Sequence, residues 1–524
     1  MGNTLIPWGG QLFPSDFGPM LDHNFCVLGC PGSGKTLMIR MLMAAVLRCQ
    51  TQRQGVFPRF RSIIFDPKRD MVPVLLGMGI PEGHIAILNP FDARATYWDV
   101  AEDIQNDADI LQLAAAIVPV ADNTHNEFFY TAAQRLVVGV LTTFVEQRRA
   151  RGAGHSWTLN DVVEVCSGQA SREAVLKGSL SGRQALEMFF ADDASGARGQ
   201  ARAQDILMTL ETRLMKLRPI AAAMARLGKV QGRKPVSVRA WAKAGAASTN
   251  LQLQDGDPQR LLILGWDARF SEVLDPLNRL IMQRAMEQLL QRPEERPRDL
   301  TWFFLDEVRL VGKMESLPKL VVGGRSKGVH VVLGFQDIAG MREVYGEDLT
   351  DELVGNCGNL ALLRTSSPTS MNWAAERAGR VEEFMTPPPS MAYQRSGSAS
   401  KRNGWQTSWS VTETHTPQMH QKDKVLPNEF SELPPASLQL GIPGFFYVPS
   451  MRNCWRGPIS PNYLAQHLYP TRGLGYSEYA SAEEEAAMMA QYSVDPSKWT
   501  SGVIPLLKPP HRQQLRLPDG LGDL

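Results

Sequence analysis

The run Gly29-Cys30-Pro31-Gly32-Ser33-Gly34-Lys35-Thr36 constrains this chain more than any other stretch of it. An apolar segment ending Phe25-Cys26-Val27-Leu28 leads in, and a helical pattern, Leu37-Met38-Ile39-Arg40-Met41-Leu42, leads out. Strand, glycine-rich turn and helix is the setting of a phosphate-binding P-loop. The glycines let the backbone curl until its N–H groups face the phosphates. Lys35 supplies a charge for the β- and γ-phosphates, and the Thr36 hydroxyl a ligand for Mg²⁺. The expectation is a nucleotide site with ATP and Mg²⁺ as cofactors, inside an α/β fold.

A chain of 524 residues exceeds one ordinary core, so more than one domain is expected. Its net charge of +1 marks no strongly basic domain, so contact with nucleic acid has to be local or concentrated by assembly. The cysteines at 26, 30, 49, 166, 357 and 454 show no C-x-x-C spacing, which argues against zinc and against a disulfide framework. The first residues lack the basic and apolar regions of a signal peptide. The apolar runs 113–120 and 136–140 are too short to cross a bilayer, and Pro119 interrupts the first. These features predict a cytoplasmic protein without a transmembrane segment.

Strands and helices alternate from Asn24 to Tyr97. Ser62-Ile63-Ile64-Phe65 is a short apolar strand ending at Asp66-Pro67-Lys68, and His84-Ile85-Ala86-Ile87-Leu88 another, ending at Asn89-Pro90-Phe91-Asp92. Polar residues directly after such strands belong at the carboxyl edge of a parallel sheet, where α/β proteins bind ligands. From about Trp98 to Lys234 the pattern is helical. Phe129, Ala132, Leu136, Val140 and Phe144 share a helix face, Thr158 with Asp161 reads as a cap, and 201–217 is a long helix. Strands return at Arg260-Leu261-Leu262-Ile263-Leu264, Thr301-Trp302-Phe303-Phe304-Leu305, Val329-His330-Val331-Val332-Leu333 and Asn359-Leu360-Ala361-Leu362-Leu363. The simplest account is one nucleotide-binding domain, residues 1–97 and 235–470, interrupted by an all-α insertion at 98–234. Farther on, Trp405, Thr407, Trp409 and Val411 alternate like a hairpin strand. Residues 471–524, with Glu483-Glu484-Glu485, read as a flexible tail.

Hydrolysis needs a second half to the site. Phe303-Phe304-Leu305-Asp306-Glu307 is an apolar strand ending in two carboxylates. The first of such a pair holds the Mg²⁺ shell and the second polarises the attacking water, which assigns Asp306 and Glu307. Gln336 follows the strand 329–333 and is a candidate sensor of the γ-phosphate. Arg325, in Gly324-Arg325-Ser326-Lys327-Gly328, is a candidate to reach a neighbouring subunit's site.

Together these blocks resemble the type IV secretion coupling proteins of conjugative plasmids, the TraD and TrwB kind, grouped with the FtsK and HerA motors. The resemblance spans roughly residues 20–470 and includes Phe128-Phe129-Tyr130-Thr131-Ala132-Ala133 and Val425-Leu426-Pro427. It implies a RecA-like P-loop NTPase domain with an inserted all-α domain, six subunits in a ring, ATP sites between neighbours and DNA in the channel. It also implies that Lys35, Thr36, Asp306 and Glu307 take the Walker positions, that Arg325 acts across the subunit boundary and that Gln336 senses nucleotide. The implied partners are DNA read without regard to sequence, a relaxase or relaxosome, and the secretion channel.

Such proteins usually begin with two transmembrane helices, whereas this chain reaches its P-loop within about thirty residues, so attachment at the inner membrane through a partner or peripherally is the expectation. The leading reading is a DNA-translocating ATPase coupling a conjugative substrate to a secretion channel. The alternatives are a soluble HerA- or FtsK-like DNA-processing ATPase and a nucleotide-gated adaptor. Arg148, Arg149, Lys401 and Arg402 are candidate DNA contacts, each with a solvated face as its competing explanation.

Overall fold

The computed structural model describes residues 5–9, 11–14, 20, 22–47, 59–119, 127–152, 156–189, 197–229, 233–247, 260–294, 299–385, 390–400, 404–414, 418–449, 454–467 and 471–473. The predicted tail from 474 onward, Lys401, Arg402 and Cys49 lie outside the described residues.

In chain order, β1 (Leu5–Trp8) and β2 (Gln11–Pro14) precede β3 (Phe25–Leu28), the P-loop and α1 (Lys35–Leu47). β4 (Arg59–Asp66), α2 (Met71–Gly77), β5 (Ile85–Ile87) and β6 (Tyr97–Trp98) follow. The helical stretch is α3 (Val100–Asp103), α4 (Asp107–Ile117), α5 (Glu127–Arg151), α6 (Leu159–Ser167), α7 (Gln169–Leu176), α8 (Leu180–Phe189) and α9 (Ala197–Leu227). Alternation resumes with β7 (Pro235–Val236), α10 (Val238–Ala247), β8 (Leu261–Gly265), α11 (Ser271–Leu290) and β9 (Asp299–Leu305). Then come α12 (Ser316–Gly323), β10 (Val329–Phe335), α13 (Ile338–Tyr345), α14 (Glu347–Gly355), β11 (Asn359–Leu363) and α15 (Pro368–Ala378). β12 (Arg380–Met385), β13 (Ser390–Ser400), β14 (Gly404–Thr414), β15 (Gln418–Asp423), α16 (Pro427–Glu432), β16 (Gly444–Tyr447), β17 (Cys454–Arg456) and α17 (Pro461–His467) complete the described chain.

Contacts divide the molecule into two units. The first comprises residues 1–54, 302–309 and 330–470. Its strands lie in the order β17-β16-β11-β3-β10-β9. β3 sits between β10 and β11 and is parallel to both, with Val27 opposite Gly334 and Ala361. Every residue of β3, β10 and β11 is buried, which is why they read as unbroken apolar runs rather than alternating ones. β16 and β17 extend the edge antiparallel. The predicted hairpin forms, with β13 and β14 in register from Ser390–Thr414 to Ser400–Gly404.

The second unit comprises residues 55–301, 310–329 and 471–524. β4, β8 and β5 pair in parallel, with Ile64 opposite Ile263 and Ile87 on β8's other side. The helical stretch departs after β6 and returns at β7, and those two strands pair in parallel, Tyr97 opposite Pro235. Its core combines Leu136, Val137, Val140, Leu141 and Phe144 of α5 with Leu210, Leu214 and Leu217 of α9. Side chains of this kind contribute about 1.5–3 kcal/mol each on full burial. The buried face of α5 begins at Ala133, so Phe129 and Ala132, predicted on it, are only half-buried and Phe128 is exposed. Thr158 and Asp161 form the expected capping box on α6, the Asp161 N–H donating to Thr158 Oγ1 at 3.3 Å and the Thr158 N–H to Asp161 Oδ2 at 2.7 Å.

Helix α5 differs from its sequence reading in another way. The run 136–140 is embedded in 25 helical residues, and by length and composition that helix could cross a membrane. Half of its apolar window is buried against other helices, as in the core helix of a folded bundle.

Candidate nucleotide site

The P-loop leaves the carboxyl end of β3 and is fastened to both neighbouring strands. Gly29 N–H donates to the Phe335 carbonyl at 3.2 Å, and Cys30 N–H to the Arg364 carbonyl at 2.9 Å. Gly34 has φ +93°, a conformation that side chains resist, and a Cβ there would stand 2.8 Å from the Ala436 Cβ. The segment around Ala436 backs the loop from outside, its N–H donating to the Gly32 carbonyl at 3.1 Å. Helix α1 then starts at Lys35, so the first N–H groups of a 13-residue helix open on the loop.

Lys35 and Asp306 are 271 residues apart in sequence, yet Lys35 Nζ lies 2.9 Å from Asp306 Oδ1. The same ammonium donates to Glu307 Oε2 at 3.2 Å and to the Asp306 backbone carbonyl. Thr36 Oγ1 donates to Asp306 Oδ2 at 2.6 Å. Lys35, Asp306 and Glu307 are 8%, 4% and 5% exposed, so a buried cation is neutralised by two buried carboxylates. Such a cluster is costly to desolvate and is stable only while every charge keeps a partner.

These residues fit a magnesium-bound triphosphate. The Ser33 hydroxyl is buried in the loop without a hydrogen-bond partner, as is Glu307 Oε1. Lys35 supplies the cation, and the Thr36–Asp306 pair joins a hydroxyl and a carboxylate oxygen, both hard donors suited to Mg²⁺.

Of the remaining predicted positions, Gln336 is half-buried in the bend directly after β10. Arg325 is exposed in a short turn, Arg325–Lys327, directly before β10. The two therefore stand at opposite ends of one strand. Asp66 and Asn89, predicted at strand ends, serve their own turns: Asp66 accepts from the Met71 N–H at 2.9 Å, and Asn89 from the Phe91 N–H at 3.2 Å. Burial pushes the Asp66 carboxyl up to about 6, with the Met71 N–H opposing the rise. The candidate DNA contacts Arg148 and Arg149 bond inside their own unit, Arg148 to Glu102 and the Ala101 carbonyl, Arg149 to the Gln105 carbonyl.

Two residues of this neighbourhood escaped the sequence reading. Arg309, two positions past Glu307, places Nε 3.5 Å from Glu307 Oε1 and a terminal nitrogen 3.9 Å from Asp337 Oδ2. Asp337 caps α13 by accepting the Gly340 N–H at 2.6 Å. Only the D-x-x-G spacing at the start of a helix signalled Asp337; nothing in the sequence tied Arg309 to it.

A glycine-rich loop at the end of a central parallel strand, with a lysine held by a distant carboxylate pair, defines a P-loop NTPase of the RecA-like fold, here with an inserted all-α domain. Within that class, the chain matches the type IV secretion-system coupling protein DNA-binding domain over residues 20–449 and belongs to that family. The coupling protein TraD of Escherichia coli K12 is 21% identical over 474 residues, covering 89% of this chain and 58% of TraD. The chain thus spans less than two thirds of that relative. The solved structure of unbound TrwBdeltaN70, a bacterial conjugative coupling protein, superimposes with a TM-score of 0.64 at 19% identity, covering 92% of each chain. TrwB in complex with ADP and Mg²⁺ gives 0.63 at 19% identity over 91% of this chain and 93% of that one.

Proposed function

We propose that this chain is an ATP-hydrolysing, DNA-translocating motor that couples a conjugative DNA–protein substrate to a type IV secretion channel. The observation that carries the reading is the convergence of Lys35 and Thr36 on Asp306 and Glu307. Family membership and the nucleotide-bound TrwB structures support it. The family match also favours secretion over a free-standing HerA- or FtsK-like role.

Bound MgATP would supply an electrophilic γ-phosphorus, the metal offsetting negative charge on the phosphate oxygens. The loop's N–H groups orient the phosphates, and Lys35 exchanges its carboxylate partners for phosphate oxygens. Thr36 and Asp306 would hold the metal. Glu307 accepts the hydrogen bond of the attacking water and orients it for in-line displacement. Gln336, at the end of β10, reads whether the γ-phosphate is present. Arg325, exposed at the other end, reaches a neighbouring subunit's site in a six-membered ring. We assign 98–234 as the inserted domain and 1–97 with 235–470 as the nucleotide-binding one, because β6 and β7 bracket the helices. DNA, a relaxosome and the channel are the partners, and membrane contact runs through the channel.

The test is phosphate release with and without single- and double-stranded DNA, on protein whose assembly state is measured in parallel. DNA-stimulated turnover in a ring-forming species is the expected result. Absence of turnover in assembled protein with either DNA overturns the motor reading.

A further inference from the structure

The ion-pair cluster contains one cation that the hydrolytic reading does not use. Lys35 pairs with Asp306 and Glu307 together, but in the nucleotide-bound enzyme its ammonium belongs to the phosphates. Glu307, 5% exposed, then loses a partner it cannot replace with bulk water. Its other oxygen, Oε1, makes no hydrogen bond and faces Arg309 Nε at 3.5 Å. Arg309 is itself steadied by Asp337, 3.9 Å away, the residue directly after Gln336. Room for the guanidinium is provided by Gly340, where a Cβ would come within 2.9 Å of an Arg309 terminal nitrogen and 3.1 Å of its Cδ.

We propose that Arg309 is a positioning residue for Glu307: once Lys35 turns to the phosphates, Arg309 is, among the described residues, the remaining counter-charge that fixes the Glu307 carboxylate, braced through Asp337 against the strand end that carries Gln336. This inference rests on the hydrolytic reading of the site. Arg309 touches neither substrate nor metal; it acts through Glu307. A planar guanidinium set between two carboxylates, at 3.5 and 3.9 Å, can close on Glu307 Oε1 as a directional donor once Lys35 leaves. The link Glu307–Arg309–Asp337 also joins the water-orienting carboxylate to the first turn of α13, giving the two ends of the neighbouring strands β9 and β10 a common brace.

Three variants and one nucleotide-free measurement test this. Arg309→Ala lowers kcat by about tenfold to a hundredfold, the scale of a misplaced reacting group. Its affinity for ATP with magnesium chelated stays within about twofold of wild type, the signature of a group serving the transition state alone. Arg309→Lys recovers part of the lost kcat. Gly340→Ala keeps the charge but pushes the guanidinium aside, so kcat falls in the same direction by a smaller factor. In nucleotide-free protein, the melting shift caused by Arg309→Ala is at least halved when Glu307→Gln is already present. Wild-type kcat in Arg309→Ala, on an enzyme that turns over, overturns this inference and leaves the hydrolytic reading standing. Equal loss of kcat and ATP affinity overturns it too, as does a melting shift unaffected by Glu307→Gln. A wild-type protein that never hydrolyses ATP overturns the parent reading and this inference with it.

Discussion

Asp306 and Asp103 are both buried carboxylates, and their partners separate a site from a scaffold. Asp306 is held by a lysine side chain and a threonine hydroxyl, groups that can change partner without disturbing the backbone. Asp103 is held by the backbone N–H groups of Val238 at 3.1 Å and Arg239 at 2.9 Å, the Ser237 hydroxyl at 2.6 Å and the Trp98 indole. Two of these donors are the start of α10 and cannot leave without unwinding it. Exchangeable partners suit a carboxylate that works; fixed ones suit a carboxylate that ties the chain's return from the helical stretch to its departure. Asp109 is intermediate: it accepts the Gln105 backbone N–H at 3.1 Å and pairs with the side chains of Arg239 and Arg284.

The largest effect is expected where the exchangeable cation is removed. Lys35→Ala lowers ATP turnover by about a thousandfold, since the phosphates lose their side-chain charge. It also leaves Asp306 and Glu307 buried with less compensation, so the folded fraction has to be measured by circular dichroism alongside. Turnover near wild type in folded protein breaks the assignment of Lys35 to the site. Glu307→Gln comes next: a neutral isostere fits the same space but polarises water poorly, lowering kcat by about a hundredfold while nucleotide binding persists. Loss of binding instead of kcat shows that Glu307 serves the nucleotide rather than the water.

Legibility in the sequence followed the range of the forces involved. The P-loop and the four returning strands were readable because glycine geometry and unbroken apolar runs are local signals. The Asp306-Glu307 pair was readable because its strand precedes it directly. Short strands such as β1, β2, β16 and β17 were missed, since three or four residues carry no period to detect. The Arg309–Asp337 brace and the Asp103 cluster were missed because each joins residues that meet only after folding, 134 positions apart in the Ser237–Asp103 bond. For Arg148 and Arg149, read as candidate DNA contacts or a solvated face, the bonds to the Ala101 and Gln105 carbonyls were not legible, since those carbonyls come beside them only after folding.

The smallest effect on activity, and a selective one on folding, is expected at Asp103. Asp103→Ala leaves several donors around it unpaired and lowers stability by about 2–3 kcal/mol, with ATP turnover per folded molecule unchanged. The pH dependence sharpens the contrast. Burial lifts Asp103 from the ordinary aspartate value of 3.8 to about 6, with Ser237, Trp98 and the Arg239 N–H opposing the rise and Arg284 lowering it further. The folded protein then binds this proton more readily than the unfolded chain does. The contribution of Asp103 to stability is therefore greatest below about pH 4, declines as pH rises through 6 and levels off by about pH 7. Melting temperatures of wild type and Asp103→Asn, compared at fixed ionic strength from pH 4 to 7, isolate that slice. The wild-type curve should fall relative to the variant across pH 4–6 and level off as pH approaches 7. Parallel curves throughout the range place the titrating proton elsewhere: Asp66 and Asp275, each also lifted by burial to about 6, remain in both proteins and cancel in the difference.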